Sequence, residues 1–136
     1  MIARKTRNLV LFCSCGENDK FSNVDFEVLS ERVRTELADR VECVAVHPQL
    51  CSVDGERLMV RLLDPATRVI TVGCCCFQQR KMLRDGFELA NVPMSDAHWI
   101  PVNIEQHDTQ SAFAEIEEAL LDPEEVVATG GHLSAD

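Results

Sequence analysis

The stretch that decides the fold is RVITVGCCCFQQR, residues 68–80. Its β-branched run at residues 69–72 is typical of a buried strand, and Gly73 follows that run. Three cysteines come next, and a helical pattern follows them. A strand, a loop and a helix in this order form the unit from which parallel α/β sheets are built. The stretch therefore predicts an α/β fold with soft, oxidisable side chains where a strand ends.

The same unit occurs along the whole chain. Short β-branched runs lie at residues 9–12, 41–46, 69–72 and 99–104, and we expect helices at about 24–38, 55–63, 78–90 and 110–121. The expected helix caps are Ser22 or Asn23, then Asp54, then Asp108 or Thr109. The order βαβαβαβα predicts a single domain with an open parallel four-stranded sheet and helices on both faces. Residues 1–121 would form this domain and residues 122–136 an acidic C-terminal tail.

Pro101 and the overall composition narrow this prediction. Proline removes a ladder donor, so the fourth strand is expected at a sheet edge.

The formal net charge of −10 argues against a nucleic-acid partner, because such binding depends on clustered basic residues. The apolar run at 9–12 is shorter than a secretory signal requires, and no segment approaches a membrane span. We expect a cytoplasmic protein without a membrane span.

Seven cysteines are many for such a chain, and an odd number excludes full pairing in disulfides. Six of them follow strand ends: Cys13 and Cys15, then Cys51, then Cys74, Cys75 and Cys76. Because the carboxyl ends of parallel strands meet at one edge, we expect these six to lie close together. Cys43 falls within the second strand and is expected to be a buried apolar residue. His47 and His107 are expected at the surface.

A thiol cluster of this kind has several possible uses. Iron–sulfur clusters take four thiolates, zinc takes four thiolate or imidazole ligands, and the spacing does not distinguish the two. Strand alternation predicts that Cys13 and Cys15 face one side, and that Cys74 and Cys76 face together while Cys75 faces away. The alternatives are thiol or persulfide chemistry at Cys75 or Cys76 before a helix N-terminus, a zinc-stabilised interaction module, and structural packing.

Three segments carry a resemblance to a known family. The segments LVLFCSCGEN (9–18), VHPQLCSVDG (46–55) and RVITVGCCC (68–76) resemble the amino-terminal region of the flavin-carrying subunit of heterodisulfide reductase. More loosely, they are similar to the small iron–sulfur subunit of the hydrogenase that partners this reductase. The resemblance covers roughly residues 8 to 105.

The resemblance implies a ligand set and a role. Cys13, Cys15, Cys51 and Cys74 match the family's recurring cysteines, with Cys75 and Cys76 as possible substitutes. The implied cofactor is an iron–sulfur cluster, of 4Fe–4S or 2Fe–2S type. The implied role is a non-catalytic electron-transfer subunit of a multisubunit oxidoreductase complex. Its partners would be larger redox subunits, a flavoprotein and other iron–sulfur proteins.

Overall fold

The computed structural model describes residues 7–15 and 19–121. Strands and α-helices alternate along the chain, as predicted. The elements are β1 (Arg7–Cys13), α1 (Phe26–Glu36), β2 (Cys43–His47), α2 (Val53–Leu62), β3 (Thr67–Gly73), α3 (Cys76–Ala90), β4 (Trp99–Asn103) and α4 (Thr109–Ala119). A short 3-10 turn, Asp19–Phe21, lies between β1 and α1. The predicted tail at 122–136 lies outside the described residues.

The four strands form one parallel sheet in the order β2-β1-β3-β4. Val10 of β1 lies opposite Val44 of β2 and Ile70 of β3, and Ile70 lies opposite Ile100 of β4. This confirms the predicted open parallel sheet. It also confirms that the fourth strand lies at an edge of the sheet. At that position the missing N–H of Pro101 costs the sheet no hydrogen bond between interior strands.

Helices cover both faces of the sheet, which confirms that prediction too. Helices α1 and α4 pack on one face and helices α2 and α3 on the other. The α1/α4 layer buries Val10, Phe12, Ile70, Phe113 and Ile116, among others. The α2/α3 layer buries Leu9, Leu11, Met59, Phe87 and Trp99, among others. Within the described residues, no helix is both long and apolar enough to cross a membrane.

The helix starts differ in part from the predicted caps. Helix α1 is capped by Asp25, whose side chain accepts the Val28 N–H at 3.1 Å, and not by Ser22 or Asn23. The 3-10 turn accounts for this difference, because it carries the chain past those two residues before the helix begins. Helix α2 is capped by Ser52 instead of Asp54. Helix α4 is capped by Asp108, as predicted.

Cys43 is exposed, so the expectation that it is a buried apolar residue is wrong. It is the first residue of β2, which is the sheet edge opposite β4. An edge strand has a neighbour on one side only, and its first residue is covered less than the middle of a central strand. Cys43 therefore lies apart from the other six cysteines.

Candidate functional site

A cavity of about 340 Å³ lies at the carboxyl edge of the sheet, and five cysteines line it. Cys13 and Cys15 come from the end of β1, Cys51 from the loop after β2, and Cys74 and Cys75 from the loop after β3. Parallel strand order brings these three loops to one edge. The structure thus brings together all four cysteines of the implied ligand set, together with Cys75.

Cys76 lies outside this group. Its thiol is 3.7 Å from the carbonyl oxygen of Pro101 in β4, and the residue is exposed. The predicted pairing of Cys74 with Cys76 is therefore wrong, because Cys74 and Cys75 are the two that line the cavity. Strand β3 ends at Gly73 and helix α3 begins at Cys76, so strand alternation does not continue through the three cysteines.

The sulfur of Cys13 accepts backbone hydrogen bonds. The Leu50 N–H donates to Cys13 Sγ at 3.3 Å, and the Cys15 N–H also faces this sulfur. Cys15 adopts a left-handed conformation, with φ of 53°, at the turn after β1. Burial raises the pKa of the Cys13 thiol, while the two N–H donors lower it in part. Backbone N–H groups directed at a sulfur stabilise its thiolate form.

The loop that carries Cys51 is fixed by the start of α2. Ser52 Oγ accepts the Gly55 N–H at 3.1 Å and donates to the Gln49 carbonyl oxygen at 2.7 Å. The Gln49 side-chain amide lies 3.8 Å from Cys51 Sγ. Gly55 has no side chain at the point where α2 meets the Leu50 backbone, and a Cβ there would overlap the Leu50 carbonyl. The close approach holds Leu50 where its N–H reaches Cys13.

His47 is buried, so its predicted surface position is wrong. Its Nδ1 accepts the Gln49 N–H at 2.9 Å, which places the ring proton on Nε2. Nε2 then donates to Asp54 Oδ2 at 2.6 Å. Cys15, His47 and Asp54 line a second surface pocket, yet both ring nitrogens are already engaged. The histidine is therefore a loop-stabilising residue in this arrangement and not a base for Cys15.

A buried polar network holds Cys74, although no motif in the sequence predicts it. Gln79 Nε2 donates to the carbonyl oxygens of Cys74 at 2.7 Å and Val102 at 3.0 Å. Gln79 Oε1 accepts the Thr71 hydroxyl at 2.5 Å, and Thr71 Oγ1 accepts the Trp99 indole N–H at 2.7 Å. The available signal was spacing, since Gln79 shares the inward face of α3 with Leu83 and Phe87.

The cavity thiols oppose one another's ionisation. Burial is the main reason that the pKa of Cys74 is raised to about 11, and the nearby Cys13, Cys15, Cys75 and Glu105 contribute to the rise. Cys15 and Cys51 act in the same direction on the pKa of Cys13. A cationic centre inside the cavity would reverse this balance, because it favours the thiolate form of every neighbour.

Thiols are the main potential metal ligands that line the cavity. Across residues 7–15 and 19–121, no group of three or more His, Cys, Asp or Glu side chains is arranged to hold a single metal ion. The donor set is nonetheless sulfur-rich, which suits soft metal centres. The chain matches no protein-family model, and no curated protein matches it significantly.

Proposed function

We propose that the chain is an iron–sulfur electron-transfer subunit that relays single electrons between larger redox proteins. One observation carries the proposal: five cysteines from three separate loops line a single cavity at the edge where parallel α/β sheets bind ligands. Apolar packing alone does not require thiols at these positions. The resemblance of residues 9–18, 46–55 and 68–76 to the heterodisulfide reductase subunit points to the same cofactor.

The size of the cavity is the reason to propose a cluster and not a zinc ion. A structural zinc ion needs four ligands within about 2.3 Å of one point. The described thiols line a cavity of about 340 Å³, which is larger than the space that one ion occupies. A cluster is a body of several atoms whose ligands stand further apart around it. Sulfur donors around a cavity of this size suit such a body.

Each residue of the site would have a defined task. Thiolates of Cys13, Cys15, Cys51 and Cys74 would hold the cluster, with Cys75 as the available substitute. When bound, the cluster would supply one-electron chemistry at a potential that depends on its surroundings. The N–H groups of Leu50 and Cys15 would remain directed at Cys13 Sγ and offset its negative charge. No bond rearrangement by the chain itself is required.

The proposed setting is a multisubunit oxidoreductase complex of the heterodisulfide reductase type. The electron donor or acceptor would be a flavoprotein subunit, and further iron–sulfur proteins would be neighbours. This part of the proposal derives from the resemblance and from the position of the cysteines at a sheet edge. The non-catalytic role and the cytoplasmic location are proposed on the same basis.

The test is anaerobic purification of the full chain, followed by reconstitution with iron and sulfide. We expect brown protein with iron and acid-labile sulfide in near-equal amounts and an electron paramagnetic resonance signal on reduction. Cys13→Ser should abolish the colour, since Cys13 lines the cavity and its sulfur is held by the N–H groups of Leu50 and Cys15. Cys43→Ser is the matched control, because Cys43 is exposed and lies outside the cavity.

Other outcomes would contradict the proposal. Colourless protein with stoichiometric zinc would support a zinc-stabilised module instead. Equal loss of colour in Cys43→Ser and Cys13→Ser would show that the iron does not depend on this cavity.

A second candidate is persulfide transfer at Cys75, which one observation favours. Cys75 is the N-cap of α3, its side chain makes no capping hydrogen bond, and it lines the cavity. A helix N-terminus favours thiolate. The thiolate would attack the sulfane sulfur of a persulfide donor, forming a Cys75 persulfide and releasing the donor as thiolate. A mass increase of one sulfur atom on metal-free protein, lost in Cys75→Ser, would support this candidate over the first.

A further inference from the structure

The outer face of α3 carries a compact basic and aromatic surface. Phe77, Arg80, Lys81 and Arg84 follow helical spacing and line one shallow depression. Phe77 is 77% exposed, the highest value among the exposed large hydrophobic side chains of the described residues. We refer to these four residues as the α3 patch. An exposed aromatic residue surrounded by cations is typical of a protein interface.

The charges of the α3 patch contrast with the rest of the chain. Three of the four patch residues are basic, whereas the formal net charge of the chain is −10. Asp85 and Glu88 follow on the same helix, and Glu88 is the one acidic residue among those that line the depression. Arg80 is held over the Trp99 ring at 4.9 Å from its centroid. Lys81 and Arg84 are exposed, and neither forms an ion pair with any residue of the described ranges. The patch therefore offers exposed positive charge on an acidic protein.

The opposite layer has the opposite charge. Helix α4 carries Glu115, Glu117 and Glu118 and no basic residue. An acidic partner would be repelled by that layer and attracted by the α3 patch, and this difference orients an encounter. The observed charges thus select one kind of partner and one face.

The α3 patch is also adjacent to the cysteine cavity. Gln78 and Met82 of α3 line the cavity, while the flanking Phe77 and Lys81 line the depression. An α-helix with its side chains is about 10–12 Å across. A redox group docked on the patch would therefore be separated from the cavity by a single helix.

We propose that the α3 patch is the docking surface for an acidic one-electron carrier, with Phe77 inserted into an apolar socket of that carrier. The identity of the partner as a redox protein rests on the proposed function; the surface and its charge preference do not. The complementary surface would carry carboxylates placed to meet Lys81 and Arg84. Other acidic proteins without a redox group would bind more weakly for lack of the socket.

The test uses oxidised flavodoxin, an acidic one-electron flavoprotein, as the probe in a titration of the ¹⁵N-labelled full chain. We expect amide shift changes concentrated at residues 76–94. Lys81→Glu with Arg84→Glu should weaken binding by about tenfold or more. Phe77→Ala, which changes no charge, should weaken it by about tenfold. Preserved amide dispersion in each variant shows that the fold is intact.

The matched control is Arg57→Glu with Arg61→Glu on α2, which makes the same change in net charge at two exposed residues. We expect less than about a twofold effect from this pair. No binding, shifts centred on α1 and α4, or equal weakening by both pairs would overturn the inference. The titration does not need a bound cluster, so it tests the docking surface independently of the proposed function. Colourless protein would contradict the proposed function, and the titration would still show whether the α3 patch binds an acidic carrier.

Discussion

The two helical layers cover the same sheet but differ in how they are joined. In the α1/α4 layer, helices are linked near the surface: the Asp25 N–H donates to Thr109 Oγ1 at 2.9 Å, and Arg32 donates to Gln110 at 2.8 Å. Arg32 also lies over the Phe113 ring, 3.9 Å from its centroid. None of these contacts reaches a cysteine.

In the α2/α3 layer, the closest contacts lead to the cavity. Gly55 lies against the backbone of Leu50, whose N–H donates to Cys13. Gln79 reaches the Cys74 carbonyl from inside α3. Both layers cover the core, and Cys74 packs against the α1/α4 side of it. The hydrogen bonds that position Cys13 and the Cys74 carbonyl come from the α2/α3 side. Substitutions in the two layers should separate these tasks.

The largest effect is expected for Gly55→Ala. Alanine normally stabilises a helix over glycine by about 1 kcal/mol. Here its Cβ would overlap the Leu50 carbonyl, and displaced backbone should lower the free energy of unfolding by about 3 kcal/mol. The same displacement should reduce iron uptake, because it moves the donor to Cys13. Urea denaturation and iron content measure the two effects.

Gly86→Ala on α3 is the control for that substitution. Its Cβ would meet the terminal methyl group of Met59, a flexible side chain that can shift. We expect a change in unfolding free energy within about 1 kcal/mol and unaltered iron uptake. Similar losses at the two glycines would show that backbone contact at Leu50 has no special role.

The next effect concerns Gln79. Gln79→Leu would leave the buried carbonyls of Cys74 and Val102 without this donor and the Thr71 hydroxyl without this acceptor. We expect the free energy of unfolding to fall by about 2 kcal/mol. Gln78→Leu, at the exposed neighbouring position, should change it by no more than about 0.5 kcal/mol. Denaturation of the two variants in parallel gives the comparison, and equal midpoints would contradict the role of the network.

The fold was predictable because its signals are local. Each β-branched run followed by a helical pattern lies within one stretch of chain, and alternation of such stretches specifies a parallel sheet. Pro101 predicted an edge strand because proline has no backbone N–H to donate to a neighbouring strand. The gathering of cysteines at one sheet edge followed from that topology without any knowledge of their contacts.

The details of the site were not predictable in the same way. The direction of Cys76 depends on the exact residue at which α3 begins, and strand alternation gives the wrong answer once a helix has started. The exposure of Cys43 depends on the strand order, which no local pattern encodes. The burial of His47 depends on hydrogen bonds to Gln49 and Asp54, which the turn after β2 brings to its ring. The burial of Gln79 depends on Val102 in β4, a distant segment of the chain.

A smaller effect compares the helix caps of the two layers. Ser52→Ala and Asp25→Ala each remove a side-chain acceptor from a helix N-terminus, at a cost of about 1 kcal/mol. Only Ser52 also holds the Gln49 carbonyl in the loop that carries Cys51. We therefore expect faster alkylation of Cys51 in metal-free Ser52→Ala and an unchanged rate in Asp25→Ala. Mass mapping of the alkylated cysteines measures this, and identical rates would refute the difference between the layers.

The last effect is a loss of stability at alkaline pH in the metal-free, reduced protein. Burial and neighbouring thiols raise the pKa of Cys74 from its ordinary value of 9.0 to about 11. The folded state therefore binds this proton more tightly than the unfolded state does. The resulting stabilisation is fully present below the unfolded pKa and is lost as the pH rises through the folded value.

A pH titration of stability tests whether the Cys74 thiol ionises less readily in the folded chain than in the unfolded chain. Urea midpoints of the metal-free protein should fall between about pH 8.5 and pH 11 by more than those of Cys74→Ser, which lacks the Cys74 thiol. Cys43→Ser should follow the wild-type curve, because Cys43 lies at an exposed edge. A Cys74→Ser curve parallel to the wild-type curve would mean that the Cys74 thiol ionises equally well in the folded and unfolded chains. The cavity would then exert no electrostatic constraint on the sulfurs that line it.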